Sequence, residues 1–300
     1  MRQIAFETLD VFAEQRFGGN PLAVIADARE LSAGEMQGIA REFNYSESTF
    51  VLPPERAANT ARVRIFTPTS EIPFAGHPNV GTAYALARAG SVFGKSTGET
   101  MRFEEGAGLV EINVQRRGSV VQGARIRAPQ EIEVGEEVSP ATVAACVSLR
   151  ADEVVTARHQ PVVASVGLPF VFAELKSLDA LQRAAPNIDA FNEASRKHPN
   201  ERLRFSLHLY VRTGEHTVRA RMFAPLSNVF EDPATGSAAA ALGGLFSSLA
   251  RNGALELAIE QGVEMGRPSF IGVSVATQGG KRSIYVSGKC VPVMRGTIEI

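Results

Sequence analysis

Apolar and polar residues alternate, or gather into short β-branched and aromatic blocks, along most of this chain. The pattern predicts strands at 3–12, 22–26, 48–52, 61–67, 109–114, 120–127, 161–166, 204–212, 216–223, 269–276 and 283–294. Helical spacing is scarcer. Ser32 with Glu35 forms a capping-box pattern opening a helix over 32–43, and Ser139-Pro140 sets an N-cap before a proline suited to the first helical position. Shorter helices are predicted at 177–185 and 189–196. The segment 128–140, with two prolines and a run of glutamates, reads as a connection between two domains.

Two further stretches, 79–89 and 234–251, carry small and apolar residues on every side, with only Arg88 and Arg251 as charges near their ends. Helices without a polar face are expected to be buried, here under a covering of β-strands. Gly90 and Gly253 suit their C-terminal stops. The approaches to these helices repeat one another. "RIFTP" at 64–68 precedes "HPNVGTA" at 77–83, and "RMFAP" at 221–225 precedes "DPATGSA" at 232–238, an offset of about 155 residues. A duplicated unit explains this order, and it predicts two similarly folded domains facing each other.

A buried helix start has backbone amides without intrahelical partners and the positive end of a dipole. Two such starts would grip an anion, most naturally a carboxylate, in a cleft between domains. For either loop alone the plainer reading is a capped helix, with Asp232 as the cap. Groups near the repeated loops that could move a proton are His77, Asp232, Glu231 and Glu71, and a further acid, Glu47, lies in "NYSESTFVLP" at 44–53.

Composition narrows the field. A formal net charge of -1 over 300 residues gives no global reason to expect nucleic acid or an anionic membrane as partner. No apolar run approaches membrane-spanning length and the N-terminus lacks a signal-peptide pattern, so a cytoplasmic protein is expected. Cys146 and Cys290 lack the paired spacing of a metal or redox motif, and the five histidines include no His-x-x-x-His pair. Neither glycine-rich nucleotide loop is present, so no cofactor is expected.

Five segments, "GGNPLAVI" at 18–25, "NYSESTFV" at 44–51, "FAGHPNVGTA" at 74–83, "EDPATGSAA" at 231–239 and "QGVEMGRPS" at 261–269, together resemble the phenazine-biosynthesis PhzF-like isomerase family. The resemblance implies an α+β, diaminopimelate epimerase-like fold: two pseudo-symmetric domains, each with a barrel-like β-sheet around a central helix. It also implies that the last strand returns to the first domain, giving 1–127 plus about 285–300 as one domain and 128–284 as the other, with the site in the interdomain cleft. By the motif match Glu47 is the acid/base, His77 and Asp232 are its catalytic partners, and Gly76, Gly236, Ser237 and Asn20 hold the substrate. The sequence departs from the pattern at Ser48, which stands at a threonine position.

Racemases of the wider superfamily use two opposed cysteines, and the matching positions here are read as Ala75 and Ala234. Two-cysteine racemisation is therefore disfavoured. The implied activity is a cofactor-independent isomerase of a small cyclic or amino carboxylic acid, such as trans-2,3-dihydro-3-hydroxyanthranilate of phenazine biosynthesis, in a homodimer. A glutamate serving at neutral pH would need its pKa raised from about 4.3 by burial. The alternatives are an amino-acid racemase using another residue, and a catalytically silent metabolite-binding protein.

Overall fold

The alternation that predicts so many strands builds two β-rich units in a computed structural model that describes residues 2–200, 204–250, 254–278 and 281–300. One unit comprises Met1–Arg127 with Ser287–Ile300 and the other Ala128–Val286.

The first unit runs β1 (Gln3–Val11), β2 (Asn20–Ile25), α1 (Ala33–Phe43), β3 (Glu47–Leu52), β4 (Ala61–Phe66), β5 (Glu71–Ile72) and α2 (Gly76–Ala89). A small hairpin of β6 (Ser91–Val92) and β7 (Lys95–Ser96) follows, then β8 (Thr100–Glu105), β9 (Gly108–Arg117) and β10 (Val120–Arg127). Strand β1 pairs antiparallel with β2, β2 parallel with β3, β3 antiparallel with β4, and β4 parallel with β8. The meander β8–β9–β10 continues the sheet, and the last strand, β20 (Lys281–Glu299), pairs with both β10 and β1 and closes the ring. Helix α2 packs against β10, β2, β1, β9 and β3, and its residues from Gly76 to Ala87 are all buried. Ser32 caps α1 through the predicted capping box, and Met36, Ile39 and Ala40 bury that helix against Ile25, Phe50 and Phe66.

The second unit runs β11 (Glu133–Glu137), α3 (Pro140–Cys146), β12 (Val154–Val155), β13 (Val162–Ser165), β14 (Pro169–Leu175), α4 (Leu178–Arg183) and α5 (Ile188–Lys197). Then come β15 (Leu207–Arg212), β16 (Thr217–Ala224), β17 (Val229–Asp232), α6 (Gly236–Leu249), β18 (Leu255–Gln261), β19 (Ser269–Gln278) and the opening residues of β20. The pairing follows the first unit step by step. Strands β14 and β15 are parallel like β2 and β3, β15 and β16 antiparallel like β3 and β4, and β16 and β18 parallel like β4 and β8. Helix α6 occupies the place of α2 and packs against β19, β18, β13 and β14.

Several sequence expectations change. The segment 128–140 is not a plain connection, since 133–137 form β11 and pair with β13. Strands β8, β14 and β18 escaped the pattern. In β14 all seven residues are buried, which erases the alternation that marks a half-exposed strand. The buried helices start at Gly76 and Gly236, an offset of 160 rather than about 155. Gly90 caps α2 in the left-handed conformation as predicted, while Gly253 and Arg251 lie outside the described residues.

Candidate functional site

Glu47 is the first residue of β3, in register with Leu22 on the parallel strand β2, and His77 is the second residue of α2. This brings His77 Nε2 to 3.5 Å from Glu47 Oε2. The imidazole is 5% exposed, and burial pushes its pKa down to about 3, so the ring is neutral at physiological pH. It is also hydrogen-bonded to the backbone of Pro21, whose only backbone polar atom free to bond is the carbonyl oxygen, so the ring N–H donates there. Nε2 makes no hydrogen bond among the described residues. The ring therefore fixes its proton on the far nitrogen and presents a lone pair on the side of Glu47. Asn20, fully buried at the start of β2, accepts a hydrogen bond from Ser46 Oγ at 3.4 Å.

The start of α2 has no side-chain cap. Ala75 is the N-cap residue and Gly76 the first helical residue. Asn79 Nδ2 donates to the Ala75 carbonyl at 3.0 Å, which braces the turn carrying His77.

In the second unit Asp232 ends β17 and is 8% exposed. Its Oδ2 accepts from Thr235 Oγ1 at 2.7 Å, and Gln261 Nε2 donates both to the Asp232 carbonyl at 2.7 Å and to Thr235 Oγ1 at 3.0 Å. Asp232 is thus not the side-chain cap of α6. The N-cap residue is Thr235, which makes no capping bond of its own, and the position equivalent to Ala75 is Thr235 rather than Ala234. Gly236 opens the helix, and Ser237 is the residue of that first turn that keeps partial exposure.

The other acids are structural. Glu231 receives a two-pronged hydrogen bond from Arg221, at 2.7 and 2.8 Å, and Arg221 also donates to the carbonyls of Leu181 and Ala184, each at 2.8 Å. Glu71 is held in the same way by Arg64, at 2.7 and 2.6 Å, which keeps its carboxyl below the usual carboxylate range. The repeated arginine of "RIFTP" and "RMFAP" therefore serves to grip the glutamate of the short strand that follows. Side by side in sequence, Glu231 and Asp232 do different things, the first anchoring Arg221 and the second bonding to the turn that opens α6.

Cys146 and Cys290 are buried thiols, and burial pushes Cys146 up to about 12 and Cys290 further still. Neither is a thiolate at neutral pH. No cluster of His, Cys, Asp and Glu able to hold a metal occurs among the described residues, and none of their helices is long and apolar enough to cross a membrane. A cavity of about 330 Å³ in the second unit is lined by Val163, Phe170, His198 and Arg204 among others, and none of the predicted site residues lines it. Sequence reasoning missed Gln261, whose side chain fixes the turn at Asp232 and Thr235. Gln261 does open one of the five motif segments, which was the available signal.

A family model described as phenazine biosynthesis-like protein, PhzC-PhzF, matches residues 9–296. Over 304 residues the chain is 36% identical to a trans-2,3-dihydro-3-hydroxyanthranilate isomerase of Pseudomonas chlororaphis, covering 97% of this chain and 98% of that protein. It is 39% identical over 300 residues to an uncharacterised isomerase of Mesorhizobium japonicum, covering 97% of each. The crystal structure of a Bacillus anthracis phenazine biosynthesis protein of the PhzF family superposes with a TM-score of 0.88 at 26% identity, covering all of both chains.

Proposed function

The chain belongs to the PhzC-PhzF family of phenazine biosynthesis-like proteins and is a PhzF-like isomerase, from which we propose that Glu47 moves a proton between two positions of one small carboxylic acid. The observation that carries this reading is the Glu47–His77 pair at 3.5 Å, with the imidazole neutral.

The chemistry is written with side chains alone. Glu47 as carboxylate takes a proton from a carbon of the substrate, the electron pair delocalises into the adjoining unsaturated system, and the resulting acid returns the proton at another carbon. Atoms and charge balance, and Glu47 is regenerated. The neutral His77, with its lone pair on the Glu47 side, accepts a hydrogen bond from the acid form and so steadies Glu47 while it holds the proton. The amide of Gly76, at the start of α2, favours the carboxylate of the substrate.

The substrate proposed is trans-2,3-dihydro-3-hydroxyanthranilate or a close cyclic amino acid, supported by the relatives that carry that name at 36 to 38% identity. Two-cysteine racemisation is disfavoured by the residues at the helix caps, Ala75 and Thr235, neither of which is a thiol. The test is a proton NMR time course in heavy water with that compound and the purified protein. Conversion supports the reading, with the substrate's own hydrogen kept at the new carbon to the extent that Glu47 returns it before exchanging with solvent. An untouched substrate overturns that assignment.

A further inference from the structure

Strand β8 ends at Glu105 and strand β18 at Gln261, and the two strands occupy equivalent places, each parallel to its neighbour β4 or β16. A glycine follows each. A Cβ on Gly106 would lie 3.0 Å from Pro73 Cα, and one on Gly262 would lie 2.9 Å from Pro233 Cα. Pro73 and Pro233 each stand three residues before the glycine that opens the buried helix. The same close contact thus braces both helix starts, once in each unit.

In the second unit Gln261 completes the brace with its hydrogen bonds to Thr235 and to the Asp232 carbonyl. In the first, Ala107 N donates to the Pro73 carbonyl at 3.0 Å, and Glu105 reaches the Asn79 side chain. Asn79 is fully buried and its Oδ1 has no donor among the described residues, and both carboxyl oxygens of Glu105 are buried with no donor either. The contact with Asn79 by itself favours the charged carboxylate, but burial is the larger effect and favours the acid form, which brings an O–H to this turn.

We propose that Glu105 is a positioning residue for the α2 start, holding Asn79 and through it the Ala75-Gly76-His77 turn, as Gln261 holds Thr235 and Asp232. Glu105 does this in its acid form, which makes it the functional equivalent of the glutamine at the matching position. Burial pushes its pKa up to about 8, in keeping with that form at neutral pH. The proposal rests on the reading of His77 as a site residue, and its test has a readout that does not require turnover.

Glu105→Gln, Glu105→Ala and Asn79→Ala are compared with the unaltered protein. The ¹⁵N resonances of the His77 ring report the turn directly, and kcat and KM report the reaction. Glu105→Gln is expected to keep the His77 resonances in place and kcat within about 2-fold, because the amide N–H replaces the acid O–H. Glu105→Ala is expected to shift those resonances and lower kcat by about 10- to 100-fold with KM nearly unchanged, as displaced catalytic groups do. Resonances that move equally in the Gln and Ala variants, or in neither, overturn the proposal. If Glu105→Ala does not fold, the soluble Gln variant still decides, since a shifted His77 ring in it is incompatible with a neutral brace. Absence of turnover in the unaltered protein counts against the assigned substrate and leaves the resonance test standing.

Discussion

His77 holds its Nε2 3.5 Å from Oε2 of Glu47 while its other nitrogen is committed to the Pro21 carbonyl. The ring cannot readily take a charge, because its burial makes the imidazolium costly, and in the proposed mechanism the moving proton is carried by Glu47. Glu47→Gln should therefore lower kcat by about 10²- to 10⁴-fold, the range for loss of a positioned acid/base. KM should change little, since the amide keeps the shape of the side chain. His77→Gln should cost less than Glu47→Gln, and a larger loss at His77 would mean that the imidazole itself carries the proton. Initial rates from the NMR assay measure both.

Stability should depend on pH from both ends. His77 has a folded pKa of about 3 against 6.5 for the model imidazole, so its contribution is fully present above 6.5 and is lost as pH falls toward 3. Glu105 is displaced the other way, from 4.5 to about 8, so its contribution is fully present below 4.5 and is lost as pH rises through 8. Between pH 6.5 and 8 the unaltered protein should lose on the order of 1 kcal/mol per pH unit from Glu105 alone. Urea denaturation across that window should show the slope, and Glu105→Gln should flatten it. An equal slope in both proteins would mean that Glu105 is ionised in the folded state.

The two arginine–glutamate forks share geometry and differ in burial. Arg221 and Glu231 have side chains 8% and 15% exposed, while Arg64 and Glu71 have 20% and 43%. Each guanidinium also lies over a phenylalanine, Arg221 over Phe223 at 4.8 Å and Arg64 over Phe66 at 5.1 Å. Arg221→Ala leaves a buried carboxylate and the carbonyls of Leu181 and Ala184 without their donor, a loss of about 3–5 kcal/mol. Arg64→Ala breaks a half-exposed pair and should cost about 1 kcal/mol. Urea midpoints with unchanged slopes would measure the difference, and equal losses would refute burial as its cause.

Much of this was legible in the sequence because the chain states it twice. The duplicated Arg-x-Phe-x-Pro and the alanine-rich runs after it exposed the paired buried helices, and Ser32, Ser139 and Gly90 marked helix ends through local capping that needs no tertiary context. The exact equivalence did not show, because the linear match aligned His77 with Asp232 and was five residues out of step with the helix starts. Only the backbone reveals that Pro73 pairs with Pro233 and Ala75 with Thr235. Strand β14 hid because burial on both faces removes alternation, whereas β8 and β18 do alternate in burial and their charged, short runs did not stand out as strands, so Glu105 at the end of β8 drew no attention. Glu71 and Glu231 looked available for chemistry because a sequence does not show which arginine lies across the strand.

If Asp232 and Glu47 act in one chemical step, their losses should not add. Glu47→Gln removes the proposed acid/base, and Asp232→Asn alters a carboxylate that Thr235 Oγ1 addresses at 2.7 Å. Should Asp232 serve the same chemical step as Glu47, the double variant should be little slower than Glu47→Gln alone, because a group that supports a reaction has nothing left to support once the proton carrier is gone. Independent roles would instead multiply the two rate losses, and kcat for the four proteins under saturating substrate decides between them. Thr235→Val serves as the control. It keeps the shape of the side chain but removes the hydroxyl that joins Gln261 to Asp232, so it should reproduce part of the Asp232→Asn loss while leaving the Glu47–His77 pair untouched. A Thr235→Val rate loss that multiplies with Asp232→Asn would show that the hydroxyl acts on the reaction by some route other than Asp232.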